Sequence, residues 1–278
     1  RRYRATVTFH SETVSIERSG PIATVWLDRP EHRNAISSEM FDDIGRAMAE
    51  VGDDADARVV VVAARGPAFT VGIDLGFLAK FRSAPGGSDA ARKRRLYHEI
   101  RRLQRSISAL EECPKPVIAA VHGYCLGAGI DLITACDIRL AASDAVFSVR
   151  ETRMALVADL GTLQRLPLVV GHAVAAEMVL TGADINADRA LAIGLVSRVS
   201  PDQDHLLNDA AALAEAIAAN SPLAVQGAKA VMRESRRRSI AEGLEHVALW
   251  NAAYLESSDL VEAITAFKER RPPEFRGE

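Results

Sequence analysis

Along the first two-thirds of the chain, short apolar runs of strand length alternate with stretches whose apolar residues recur at helical spacing. Thr13–Glu17 alternates with period two, and Ile22–Leu27 follows across Gly20-Pro21, so the pair predicts a hairpin. Arg29-Pro30 ends the second strand. Ser37 or Ser38 then caps a predicted helix that places Met40, Ile44, Met48 and Val51 on one face. Val59–Ala64 is apolar on both faces, as a strand inside a parallel sheet would be. Pro116–Val121 repeats that character, and Val196–Val199 repeats it weakly. Strands separated by helices predict an α/β fold with much parallel pairing. From Gln203 onward only helical patterns remain, over 203–219, 222–235, 239–256 and 259–271. A boundary near residue 200 therefore separates a core, 1–200, from a helical region, 201–278. Residues 83–89 read as a loop insertion.

Composition narrows the class. Among 278 residues, 34 Lys+Arg against 37 Asp+Glu leave a net charge of −3, so nothing draws the chain to nucleic acid or an acidic membrane as its main partner. With 48% hydrophobic and 26% charged residues, a chain this long can bury a sizeable core without staples. Cys113, Cys125 and Cys136 are too few and too irregularly spaced for a disulfide framework or a zinc site, so no metal is expected. Thiol usage, the lack of an apolar run of roughly 18 residues, and the absence of a secretory signal at the start lead to the expectation of a soluble cytoplasmic protein. His32, His98, His122, His172, His205 and His246 show no ligand spacing and read as structural or surface residues. Arg92–Arg95 with Arg101, Arg102 and Arg105 reads as a solvated helix face.

Candidate chemistry concentrates in Gly123–Asp137. A buried strand ends at Gly123, and a Gly-Ala-Gly turn leads into an apolar helix whose first N–H groups lack helical partners. Taken alone, this turn leaves two readings open: donors placed for a developing oxyanion, or glycines that let strand and helix pack closely. A second turn, Ala68–Asp74, also follows a buried strand and also sets Gly beside an apolar residue. Two N–H donors from separate turns suit a thioester carbonyl that becomes an enolate, each contributing about 3–4 kcal/mol in the transition state. Asp131 shares a helix face with Ala128 and has apolar neighbours, so its carboxylate must be paired or functional. Glu151, flanked by Arg150 and Arg153, reads by itself as a solvated strand end in a salt bridge. Asp159 reads by itself as the N-cap of the helix that follows.

These motifs, in this order, resemble the crotonase (enoyl-CoA hydratase/isomerase) superfamily over nearly the whole chain: Asp28–Ala35, Phe69–Leu75, Gly123–Asp137, Gly194–Val196 and Phe267–Phe275. Phe147–Pro167, Ala224–Lys229 and Leu249–Asn251 are similar to the Δ3,5-Δ2,4-dienoyl-CoA isomerase branch. That branch uses an Asp, Glu, Asp trio, matched here by Asp131, Glu151 and Asp159. Where hydratases carry a Gly-rich segment, this chain has Ala158–Thr162 with a third carboxylate.

The resemblance implies a spiral of ββα turns with a C-terminal helical trimerisation region, assembled as a homotrimer or a homohexamer. It implies an acyl-CoA substrate of fatty acid β-oxidation, no cofactor beyond the coenzyme A of that substrate, and an oxyanion hole of the Ile73 and Ala128 amides. Glu151 would act as base at C2 and Asp159 as acid at C6, with Asp131 maintaining their protonation pattern. Substrate and CoA contacts fall to Arg33, Ala35, Val71, Gly72, Asp74, Leu75, Gly129 and Arg270. Independently of the resemblance, the pocket walls that set chain-length preference are expected near Phe77, Phe81 and Tyr97. An enoyl-CoA hydratase and a non-catalytic scaffold are the alternatives. The final residues, ending at Glu278, carry no peroxisomal address.

Overall fold

The computed structural model describes residues 6–83, 88–236 and 238–278. Strands β1 (Thr6–His10), β2 (Val14–Ser19) and β3 (Ile22–Leu27) form an antiparallel meander, and the expected hairpin turns at Gly20. Helix α1 (Ser38–Asp53) crosses to β4 (Val59–Ala64), then α2 (Leu75–Ser83) and α3 (Asp89–Glu112) lead to β5 (Val117–Val121). Next come β6 (Tyr124–Leu126), α4 (Ala128–Ala135), β7 (Ile138–Ala142), β8 (Val146–Ser148), α5 (Thr162–Val170), α6 (His172–Thr181), β9 (Ile185–Asn186), α7 (Ala187–Ala192) and β10 (Arg198–Ser200). Helices α8 (Gln203–Ala218), α9 (Pro222–Ser235), α10 (Ile240–Tyr254) and α11 (Ser258–Glu269) finish the chain. A seven-stranded sheet runs β1-β2-β3-β4-β5-β7-β10, parallel from β3 onward, and a small sheet runs β6-β8-β9. The expected α/β class with much parallel pairing is therefore what forms.

Ser37, rather than Ser38, caps α1, its Oγ accepting the Met40 N–H at 3.2 Å. That cap turns Met40, Phe41, Ile44, Ala47, Met48 and Val51 into one buried face against the sheet, each large side chain contributing roughly 1.5–3 kcal/mol. The opposite face of the sheet is covered by Leu206, Ala210, Ala214 and Ala218 of α8. Lys229 of α9 pairs with Asp137 at 2.7 Å and donates to the Lys115 carbonyl at 2.9 Å, tying that helix to the foot of β5. By contrast α10 has no buried residue. The strand expected at Val196–Val199 begins two residues later. Leu195 and Val196 follow the left-handed Gly194 and point into the core, and pairing with β7 starts only at Arg198. Of the expected loop 83–89, residues 84–87 lie outside the described residues, Ser83 ends α2, and Ser88 caps α3.

One side chain joins three loops under the future site. Asn34, fully buried and in the left-handed region (φ 54°), accepts the Arg29 N–H at 2.7 Å through Oδ1. Its Nδ2 donates to the carbonyls of Arg65 and Ala68, both at 2.8 Å. Its own carbonyl accepts from Thr70 Oγ1 at 2.6 Å. Asn is among the few residues that tolerate this backbone region. Asn34→Ala leaves buried groups without partners and is expected to cost about 3 kcal/mol. Urea denaturation checks this: a change within about 0.5 kcal/mol would show that the clamp is dispensable.

Candidate active site

The two turns are locked side by side by main-chain bonds. Phe69 N–H donates to the His122 carbonyl at 2.9 Å, Thr70 N–H to the Tyr124 carbonyl at 2.8 Å, and Leu126 N–H to the Thr70 carbonyl at 3.1 Å. Gly72 (φ 91°) and Gly127 (φ 53°) occupy backbone conformations that side chains resist. A Cβ on Gly72 would press to 2.8 Å from the Leu126 carbonyl and 3.7 Å from the Ala128 nitrogen, so the two turns touch where only glycine fits. Just beyond these glycines stand the N–H groups of Ile73 and Ala128. Neither donates to any group among the described residues.

The three carboxylates converge next to these donors. Asp131 lies in α4, all of whose residues are buried, and is 1% exposed. Its Oδ1 accepts the Thr162 N–H at 2.6 Å. Burial first, then the charge of Glu151, raises its carboxyl to about 7. Glu151 opens the 3-10 turn after β8, and a Cβ on Gly127 would lie 3.4 Å from its Oε1. Its Oε2 is buried and has no hydrogen-bond partner among the described residues. Burial and the charge of Asp159 raise this carboxyl too. Asp159 is exposed, yet partial desolvation by the groups around it still raises its carboxyl from the ordinary value. A carboxylate group of this kind shares its protons as a unit.

Two single-residue readings are thereby corrected. Glu151 is not a salt-bridged strand end, because Arg150 turns to Asp184 (2.7 and 2.8 Å) and Arg153 donates to the Thr181 carbonyl. Asp159 is not an N-cap. Gly161 holds the cap position of α5 without a side-chain bond, and Asp131 supplies the acceptor from another helix.

The remaining candidates divide. The Arg33 carbonyl accepts the Val71 N–H at 3.2 Å and the Ala35 carbonyl accepts from Arg29 at 2.6 Å, so both loop residues sit beside the second turn. Asp74 caps α2 through the N–H groups of Gly76 (2.8 Å) and Phe77 (3.1 Å). Those bonds, with Arg29 at 3.4 Å, hold its carboxyl below the usual range despite partial burial. Leu75 is exposed, and Gly129 packs in the first turn of α4 against Thr70 and Cys125. Arg270 is exposed at the left-handed C-cap of α11, and none of the described hydrogen bonds or ion pairs joins it to the site. Phe77 packs in the main core, its ring 6.4 Å from that of Phe41, and Tyr97 is exposed. The Phe81 side chain lies outside the described residues. His122 is structural, bonding the Gly66 carbonyl at 2.8 Å. Within the basic cluster Arg102 is not simply solvated, since it bridges Glu99, Asp42 and Ser38 and so ties α3 to α1.

Sequence reasoning did not single out Asn34, Thr70, Gln104 or Arg165, which hold the site together. Asn34 lay inside the quoted Asp28–Ala35 segment, but its hydrogen bonds span more than thirty residues and no local pattern marks them.

Carboxylates grouped beside backbone donors that have no partner among the described residues, on an α/β frame, are an arrangement suited to moving protons. Residues 17–278 match the family described as Enoyl-CoA hydratase/isomerase, and the chain belongs to that family. It is 42% identical over 269 residues to the peroxisomal Delta(3,5)-Delta(2,4)-dienoyl-CoA isomerase of Arabidopsis thaliana, covering 95% of this chain and 97% of that one. It is 45% identical over 249 residues to the mitochondrial Delta(3,5)-Delta(2,4)-dienoyl-CoA isomerase of Homo sapiens, covering 89% and 76%. The fold superposes on the crystal structure of an enoyl-CoA hydratase from Bacillus anthracis with a TM-score of 0.87 at 30% identity, covering 96% and 100%. The expectation of a cytoplasmic protein is overturned, since these isomerase relatives are named peroxisomal or mitochondrial. Unpaired thiols and the lack of a spanning helix do not distinguish cytosol from the interior of an organelle.

The raised carboxyl of Asp131 has a thermodynamic consequence. Its folded value, about 7, lies above its ordinary 3.8, so the folded chain keeps a proton that the unfolded chain releases between those values. Stability is therefore lost as pH rises from about 4 to about 7. Asp131→Asn keeps the acceptor for Thr162 but cannot ionise. Relative to wild type it should gain up to roughly 4 kcal/mol between pH 4 and pH 8 in guanidinium denaturation. Parallel pH curves for the two proteins would refute a proton held at Asp131.

Proposed function

We propose that the protein is a Δ3,5-Δ2,4-dienoyl-CoA isomerase of fatty acid β-oxidation. The observation that carries this is Asp159, a third carboxylate in electrostatic reach of Glu151 and Asp131, where adding water across C2 and C3 needs no further acid. The names of the isomerase relatives support the same reading.

The reaction takes a proton from C2 of a 3,5-dienoyl thioester and returns one at C6, giving the 2,4-isomer with no net gain or loss of atoms or electrons. Charge in the intermediate dienolate spreads from the thioester oxygen to C6. The Ile73 and Ala128 N–H groups receive the oxygen end, each donor contributing about 3–4 kcal/mol. C2 is bonded to the thioester carbon, so its base must stand beside those donors. Glu151 does so, with Oε1 against Gly127 and Oε2 unpartnered. Asp159, whose carboxyl partial burial raises from its ordinary value, is assigned as the acid that delivers a proton at C6. Asp131, buried and titrating near neutrality, biases the cluster toward one ionised and one protonated partner. No cofactor takes part beyond the coenzyme A of the substrate. Backbone of the Arg33–Ala35 loop and the Val71–Leu75 turn is assigned to the CoA portion.

The first measurement compares kcat/KM for a 3,5-dienoyl-CoA with that for crotonyl-CoA. Preference for the diene with 2,4-dienoyl product, lost by about 10²-fold or more in Asp159→Asn, is the expected result. Preference for crotonyl-CoA would make the protein a hydratase instead.

We also propose assembly as a trimer or a pair of trimers through the C-terminal helices. Ile240 (84% exposed), Leu249, Val261 and Phe267 (86% exposed) lie bare on α10 and α11, an arrangement that favours burial against another copy. Light scattering should give three or six times the 30.0 kDa chain mass; a monomer at micromolar concentration would overturn the proposal.

A further inference from the structure

The carboxylate of Asp159 rides on a stretch with no regular structure. Between Val157 and Leu160 no main-chain group bonds to another main-chain group among the described residues. The side chains of Leu156 and Val157 stand exposed just before it. Whatever sets the position of Asp159 must therefore come from side chains reaching in.

They come from α3. While Leu103, Ile107 and Leu110 face the core, Gln104, Ser108 and Glu111 recur at i, i+4 and i+7 and form a polar strip on a neighbouring face. Gln104 Nε2 donates to the Asp159 carbonyl at 2.6 Å. Arg101 donates to Gln104 Oε1 at 2.7 Å, which fixes the orientation of that amide. Further along, Arg165 of α5 donates to Ser108 Oγ at 3.1 Å, to Glu111 Oε2 at 2.9 Å and to the Leu160 carbonyl at 3.3 Å. From the opposite side Asp131 holds the Thr162 N–H. The segment is thus pinned before and after Gly161, and the bond made at Asp159 itself comes from Gln104.

We infer that Gln104 is a positioning residue for the third carboxylate, holding the Asp159 main chain so that its side chain stands over the far end of the reacting diene. The kinetic consequence rests on the isomerase reading above. Gln104 contacts neither Glu151 nor the free N–H groups of Ile73 and Ala128 among the described bonds, so it acts on one end of the proton transfer. Misplacing an acid by an ångström is enough to slow its step by tenfold or more, while leaving CoA binding intact.

Gln104→Met keeps length and volume but removes the donor; Gln104→Lys restores a donor that can reach the same carbonyl. With a 3,5-dienoyl-CoA, Gln104→Met should lower kcat by about 10-fold with KM within about 2-fold. Its melting temperature should be unchanged, and Gln104→Lys should recover most of kcat. A crystal structure of Gln104→Met should show the Asp159 main chain displaced from its place in a wild-type crystal. Wild-type kcat in Gln104→Met, alongside an inactive Asp159→Asn, overturns this inference alone. So does a loss that Gln104→Lys fails to rescue, since volume rather than the bond would then matter. Full diene activity in Asp159→Asn overturns the isomerase reading and this inference with it.

Discussion

A carboxylate buried in an apolar helix must find a hydrogen-bond donor, keep its proton, or both, because an ionised carboxylate stripped of water is too costly to leave alone. Asp131 does both. It takes the Thr162 N–H at 2.6 Å and titrates near neutrality. The first contact makes one helix the cap of another, so the chain after Gly161 can turn into α5 although Gly161 offers no side-chain cap. The second follows from its own burial first and then from the charges of Glu151 and Asp159. One buried group thereby links the packing of α4 and α5 to the protonation of the site.

A second constraint comes from backbone geometry. Bringing the two strand-to-helix turns into contact leaves no room for a Cβ at Gly72, and both Gly72 and Gly127 adopt positive φ. The main-chain bonds between Phe69–Thr70 and His122–Leu126 hold that approach, and Asn34 braces it from below. In the proposed mechanism the Ile73 and Ala128 N–H groups, held in this way, need no reorganisation when charge develops. The segment around Asp159 is built differently, on irregular chain held by side chains of α3 and α5.

Much of the fold was legible in local pattern. Period-two alternation placed the hairpin of β2 and β3, the apolar runs placed β4 and β5, and helical spacing placed α1 and the C-terminal helices within a few residues. Those signals are local because strand and helix periods are local. The carboxylates were legible as residues: Asp131 stood out among apolar neighbours, and the glycine turns flagged their own backbone. Where the reading slipped, the cause was non-local. Leu195 and Val196 look like strand residues, but they bury themselves under a turn and pairing waits for Arg198.

Residue type and near neighbours determined the α/β class and the two glycine turns, and the resemblance to the isomerase branch singled out the three acids. Tertiary structure decided what surrounds those acids. Glu151 alone reads as a strand end in a salt bridge, and only the fold draws Arg150 away to Asp184 and leaves one oxygen of Glu151 without a partner. Asp159 alone reads as a helix cap, and only the fold hands that task to Asp131, twenty-eight positions earlier. The physical reason is the same in both cases. A charged group's role depends on which donors, charges and walls surround it, and those arrive from α3, α4, α5 and the β8 turn, which no sequence window spans together.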